Sequence, residues 1–271
     1  MSMPRLSFRS VVVAALLTGA TVPASAQGGL AADVVGEDYH VEVSFNFWKP
    51  TPEPIVRSES LGIIGSDINL VTDLGIESHW LKDFSLVLRP ATKHRFRIDY
   101  LGLNYEAEAT LQRAFVFNGL RYPVGLPVST TAKFNTWRFG YEYDFLYTSR
   151  GFLGVLLDAK VTDVDVGLNS PIGDEFNRQL VPIPTIGGVG RVYVHKNVSL
   201  NGEVSYFKIP ESAWEDYGGR YIDFDVSGVF NLHKNAAAQI GYRSIDVYYQ
   251  QRLDSGTLTF NGWYLGFTTR F

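Results

Sequence analysis

The sequence contains no cysteine. Disulfide staples, thiolate-bound zinc or iron-sulfur centres and thiol nucleophiles are therefore excluded together. Positive charge is not in excess either: 24 Lys+Arg stand against 28 Asp+Glu, a formal charge of -4, and no Lys/Arg block offers an electrostatic footprint for nucleic acid. Beyond residue 27 no apolar run approaches the roughly 20 residues that a membrane-crossing helix needs, because charges or turn residues recur every few positions. The 26 Gly and 12 Pro follow no period, which rules out collagen-like and low-complexity classes. What is present is 271 residues, 45% hydrophobic and 14% aromatic, too apolar for disorder and long enough for one large domain.

The first 26 residues have the composition of an export signal. Arg5 and Arg9 precede the apolar run Val11 to Leu17, and Ala24-Ser25-Ala26 supplies the small residues of a cleavage site. The sequence thus divides into a signal peptide over 1-26 and one domain over 27-271. Export without cysteine suits a protein of the bacterial envelope.

After that point the dominant pattern is period two. Trp263, Leu265, Phe267, Thr269 and Phe271 alternate with Tyr264, Gly266, Thr268 and Arg270, and Trp137 to Tyr147 and Tyr39 to Phe47 repeat the pattern. Further strands are predicted over Phe84 to Arg89, Arg95 to Tyr105, Leu153 to Thr162, Thr185 to His195, Val198 to Phe207, Tyr221 to His233 and Ala237 to Gln250, about ten in all, with eight or twelve as alternatives. Parity switches near Tyr100 to Leu103 and Arg243 to Ile245 predict one-residue bulges, unless those strands end earlier. Tight polar turns at Pro90 to Lys93, Thr148 to Gly151, Lys196-Asn197 and Lys234-Asn235 alternate with long connections over 50-80, 107-131, 169-182 and 210-219. Within 107-131, Phe115 to Tyr122 reads as a hairpin turning at Asn118-Gly119 and projecting beyond the rim. Residues 50-80, with Ile63, Ile64, Ile68, Leu70 and Val71, read as a lid, an inward plug or two more strands.

Alternation alone fits a soluble barrel with apolar residues inside or a membrane barrel with them outside. The polar face decides. It carries Glu42, Arg95, Arg97, Asp99, Arg138, Glu142, Asp144, Asp158, Lys160, Arg191, Glu203, Asp223, Asp225, Arg243 and Arg270, both signs in balance and interleaved with glycine. Ion pairs and glycines suit a narrow lumen. On the other face aromatic residues gather near strand ends, as at Tyr147, Tyr206, Trp263 and Phe271, in the manner of interfacial girdles. The expected fold is all-β: a closed antiparallel up-and-down transmembrane β-barrel, closed because an open edge in lipid leaves backbone groups unpaired.

The last ten residues, Gly262 to Phe271, resemble the terminal assembly signal of Gram-negative outer-membrane proteins, with Trp263, Leu265, Phe267 and the closing Phe271 as its apolar positions. In size the chain is similar to the small barrels of the transmembrane OmpA and opacity type. The resemblance implies an outer-membrane location, lipid as the surrounding partner, insertion by the barrel assembly machinery and tight turns facing the periplasm.

Catalytic constellations are thin. His40, His94, His195 and His233 fall at the periplasmic ends of strands; His79 alone could reach the outer side, without an obvious Ser or acid partner. Asp163-Val164-Asp165 and Asp223-Phe224-Asp225 could hold calcium, but luminal Arg or Lys are the commoner partners of such pairs. Gly187-Gly188-Val189-Gly190 precedes no helix and does not suit phosphate. No catalytic residue, metal site or cofactor is assigned. The expected role is a porin-like envelope component or narrow passage with a salt-bridged lumen; a lipid-modifying hydrolase or acyltransferase, and an adhesin or receptor using the long loops for a solute or surface ligand, are the alternatives.

Overall fold

The computed structural model describes residues 34-57, 63, 65-209, 217-251 and 254-271. The expected signal peptide over 1-26 lies outside them, as do Ile64 and most of the 210-219 connection. The regular elements of the described residues are all strands: β1 (Val41–Pro52), β2 (Ile55–Arg57), β3 (Ile68–Asn69), β4 (Leu81–Ala91), β5 (His94–Thr110), β6 (Phe115–Phe117), β7 (Leu120–Tyr122), β8 (Pro127–Thr148), β9 (Gly151–Ser170), β10 (Gly173–His195), β11 (Val198–Ile209), β12 (Tyr217–His233), β13 (Ala236–Gln251) and β14 (Asp254–Arg270). Alternating β-branched and aromatic residues favour these extended segments because such side chains pack on a pleated surface.

Ten strands, β1, β4, β5 and β8 to β14, each pair antiparallel with their neighbours, and β14 returns to β1 from Glu42↔Arg270 to Pro52↔Phe260. The sheet thereby closes on itself with no free edge strand, as a structure surrounded by hydrocarbon requires. Trp263, Phe267 and Phe271 are 65%, 46% and 70% exposed, whereas Glu142 and Asp144 are 0% and Arg270 2% exposed. The apolar face points outward, and a soluble carrier with a greasy interior is excluded.

The outward band has a definite height. On β9 it runs through Leu153, Val155, Leu157, Ala159 and Val161 and stops at Asp163. At about 3.3 Å per residue and a tilt of about 40° that is roughly 23 Å, close to the apolar band of membrane barrels. Lys49, Lys82, Lys133, Arg178, Lys208 and Asp246 bound it at a similar level on other strands. The strands β8, β9 and β10, at 22, 20 and 23 residues, continue well above it.

Several sequence expectations are corrected. The 169-182 connection is not a long loop: β9 and β10 stay in register up to Ser170↔Gly173, and only residues 171 and 172 turn the chain. No register shift occurs at Tyr100 to Leu103 or at Arg243 to Ile245. Shifts occur instead between Leu88/Ala91, Tyr143/Leu146, Tyr193/His195 and Asn231/His233, each beside a tight turn, where the chain must curl. The second of these rotates Tyr147 inward against Phe152, so it is not part of the outer girdle. The Phe115 to Tyr122 hairpin forms as expected, with Asn118 and Gly119 at φ 48° and 83°, the left-handed pair that a type I′ turn needs. It does not project, however. Phe115, Phe117 and Tyr122 are buried in the upper lumen because three aromatic rings are better removed from water than displayed.

Candidate functional site

The lumen has two storeys of opposite character, and the change occurs within single strands. On β5 the inward positions are Arg95, Arg97 and Asp99, then Leu101, Leu103 and Tyr105. On β13, Arg243 is followed inward by Ile245, Val247 and Tyr249. The backbone keeps its parity while the lining turns from charged to apolar, which is why the sequence pattern alone mimics a bulge.

The storey nearest the tight turns is a network of ions. Glu37, ahead of β1, is buried across the mouth: it accepts from Arg191 at 3.1 Å, Tyr193 at 2.9 Å and Arg95 at 3.3 Å, and its carbonyl accepts from Arg89 at 2.5 Å. Arg270 donates to Glu42 and to Asn231, both at 2.5 Å. Glu142 takes Arg95 and Arg97 together, and Asp144 lies 2.8 Å from Arg95. Arg97 reaches across the lumen to Glu203 of β11 at 2.8 Å; Arg138 joins Glu203 at 2.5 Å, Asp158 at 2.9 Å and Asp99 at 3.4 Å. Higher up, Arg243 binds Asp223 at 2.8 Å and Asp83 at 2.9 Å, Lys160 donates to Ser205 at 2.7 Å and lies 3.3 Å from Asp223, and Asp225 accepts from Tyr264 at 2.9 Å.

Each of the fifteen polar positions named from the sequence therefore points into this storey. Glu37, Asp83, Arg89, Tyr193 and Tyr264 belong to it as well and were not foreseen. Asp83 and Tyr264 share the parity of foreseen neighbours and were legible; Glu37 precedes the first strand and has no periodicity to betray it. Glycines let the walls approach: at Gly241 the ring of Tyr264 lies where a β-carbon would stand. Between the ion pairs remains a polar cavity of about 150 Å3.

Above it lies the apolar storey. Leu101, Leu103, Phe134, Val166, Ile183 and Phe260 line a cavity of about 70 Å3, with Tyr221 at its lower side and Val56 and Phe117 above. Thr136 and Thr162 in its wall bond each other at 2.9 Å. The roof is built from β2 and β3, which add to the upper edge of β14, from buried Leu70, Leu74 and Ile76, and from the β6–β7 hairpin. Of the three readings of residues 50-80, inward plug and extra short strands hold jointly.

The remaining candidates go elsewhere. Asp163 is bound by Arg178 at 2.7 and 3.0 Å on the outside of the extended wall, not by a luminal cation. His94 bonds the Tyr141 hydroxyl at 2.7 Å, and His195 and His233 accept turn amides at 3.3 Å. His79 stands edge-on to Tyr105 with its Nδ1 3.4 Å from the Glu77 carbonyl oxygen. Among the described residues no group of three or more His, Asp or Glu is placed to hold a metal ion.

Closure, an outward apolar band and a polar lumen define the class: a transmembrane antiparallel β-barrel of the outer-membrane kind. No family model and no curated protein matches the sequence. Among solved structures, the outer membrane protease OmpT from Escherichia coli is similar over 88% of this chain and 98% of its own, with a TM-score of 0.56 and 9% identity. The toluene transporter TodX of Pseudomonas putida aligns with 86% of this chain and 90% of its own at a TM-score of 0.34 and 7% identity. A Pseudomonas aeruginosa FadL homologue does so with 86% and 91%, a TM-score of 0.37 and 8% identity. Only the first marks a shared fold, and at such identity the likeness is one of fold alone. Its ten strands exceed the eight of the small OmpA type.

Proposed function

We propose that this protein is an integral barrel of the bacterial outer membrane whose lumen is sealed against ions: an envelope component and not an open diffusion pore. The observation that carries the reading is the chain Arg97–Glu203–Arg138, which ties β5 and β8 to β11 across the lumen with buried ions at hydrogen-bonding distance. A hydrated ion crossing here must break these paired charges, at a cost of several kcal/mol. The Glu37 cluster repeats the obstruction at the periplasmic mouth. Lipid on the Trp263 and Phe267 side, export by the segment 1-26 and insertion by the barrel assembly machinery through the Phe271 terminus complete the proposal. Planar-bilayer recording on the full chain tests it: silence at moderate voltage is expected, and a large steady conductance would overturn it. Simultaneous replacement of Arg97, Arg138 and Glu203 by alanine should raise conductance, provided the unboiled protein still migrates as a folded barrel.

A further inference from the structure

The apolar storey has no use in a merely sealed barrel, and its boundaries indicate how it is reached. Below it are the ion pairs of Lys160, Asp223 and Arg243. Above it are the buried rings of Phe115, Phe117 and Tyr122 and the side chains of Leu70 and Leu74. Among the described residues these groups close both axial routes. The wall is different, because its ladder is incomplete in two sectors. Between β1 and β5, where β4 begins only at Leu81, residues 65-80 fill the gap: Leu70, Leu74 and Ile76 are buried there and Ser78 donates to the Pro50 carbonyl at 2.6 Å.

Between β10 and β11 pairing runs from His195↔Val198 up to Ile186↔Tyr206 and then stops. Yet β10 continues to Gly173 on the arm of β9, and β11 continues to Ile209 on the arm of β12. Among the described residues, Ile183 to Thr185 and Phe207 to Ile209 thus face each other without a ladder. Pro182 and Pro184 explain the opening, since neither has the N–H that a second partner needs, and the pairing with β9 passes through them unbroken. Among the described residues only side chains close this seam: Ile183 is buried in the cavity wall and Phe207 packs half-buried on the same cluster.

The level of the seam is informative. It begins at outward Tyr206, the last apolar outward position of β11 before Lys208, and at Ile186, which lies opposite Leu157 within the lipid band. On β10 the outer surface stays apolar from there through Pro184, Pro182 and Leu180, the last 69% exposed and opposite Asp163 of β9, before Arg178 ends it. A strand that keeps greasy residues above its neighbours' charged limit offers a path from the acyl layer into the wall.

We propose that the apolar storey is a binding chamber for one unbranched hydrocarbon chain, entered sideways from the outer leaflet through the β10–β11 seam, with Ile183 and Phe207 as its door. The chain belongs either to a membrane lipid or to a free fatty acid; the chamber recognises the hydrocarbon. The chemistry fits, because the lining is apolar except for Gln179, Arg57, whose guanidinium is held by Asp67, and two threonines that satisfy each other, and a cavity lined in this way favours an apolar occupant.

The test uses the full chain in lipid nanodiscs with two spin-labelled probes, doxyl-palmitate and doxyl-phosphatidylcholine. An immobilised spectral component with at least one probe is expected, and which probe gives it identifies the source. Filling the chamber with Val166→Trp or, separately, Val247→Trp should reduce that component at least tenfold while heat-modifiable migration is kept. The chain has no native thiol, so Pro184→Cys with Lys208→Cys can be bridged selectively across the outside of the seam by a short bis-maleimide. Bridging before addition of probe should slow filling at least tenfold, whereas bridging afterwards should retain bound probe. Absence of an immobilised component in the unmodified barrel, or its persistence in both filled variants, would overturn the chamber; filling at an unchanged rate through a bridged seam would overturn the route. Conductance plays no part in these readouts, so they stand or fall apart from the ion-sealed reading.

Discussion

Glu142 has no exposed surface and accepts from two guanidinium groups, those of Arg95 and Arg97. Replacing it with alanine strands both cations in a closed lumen, and breaking a buried pair in this way costs about 3-5 kcal/mol. The urea midpoint of the Glu142→Ala barrel, refolded in detergent, should fall by a corresponding amount, and an unchanged midpoint would contradict the network described. Tryptophans give an independent reading of orientation. Trp137 and Trp263 face lipid, whereas Trp48 is 1% exposed and donates its ring N–H to the Gly262 carbonyl at 3.0 Å. In variants retaining a single tryptophan, brominated acyl chains should quench Trp137 and Trp263 strongly and Trp48 weakly; equal quenching of all three would mean that the faces are exchanged.

At the scale of elements the roof is the informative part. Arg113, just before β6, grips Asp73 through its Nε at 2.7 Å and donates to the Asp67 carbonyl at 2.6 Å, tying the hairpin to the segment that carries Leu70 and Leu74. The hydrogen bond from Arg113 holds the Asp73 carboxyl below its ordinary value. A carboxylate whose pKa is depressed in the folded state stabilises that state above its unfolded pKa, about 3.9, and the contribution disappears as pH falls through the lower native value. Acid should therefore loosen the roof, modestly, since the pair is partly exposed. Nicking between residues 112 and 125 by an acid-active protease should rise as pH drops from about 5 to 3, more steeply than in Asp73→Asn, which should already be loosened at pH 5. Identical profiles would remove Asp73 from this role.

The same region shows where sequence reading stops. Period two located all ten wall strands, because each must present one apolar and one polar face across the band, and the Asn118-Gly119 turn was legible from its chemistry. The direction of the hairpin was not, since Phe115 and Phe117 alternate identically whether they point to lipid, solvent or lumen. Nor was the apolar storey. Leu101 and Leu103 keep the parity of Arg95, and a rule that equates lumen with polarity reads them as a slip in register. Holding parity fixed would have exposed a second, greasy lining. The β9–β10 extension was hidden by Pro182 and Pro184, which read as loop residues and instead lie in a strand beside an unpaired edge.

For the whole molecule, closure of β14 on β1 predicts a compact body that withstands detergent: unboiled protein should run faster on a gel than boiled protein, and identical mobility would argue against a closed barrel. Closure also sets an order of events. The carboxylate of Glu37 meets Arg95 and Arg191, 58 and 154 residues further along the chain, and its carbonyl meets Arg89, 52 residues away. Those three arginines come from β4, β5 and β10, and they converge only once the intervening staves have curled round. The amino-terminal segment therefore docks late in maturation, like a cork fitted after the cask is made. A chain arrested halfway through closure must leave three guanidinium groups uncorked, a feature by which an unfinished barrel differs chemically from a finished one.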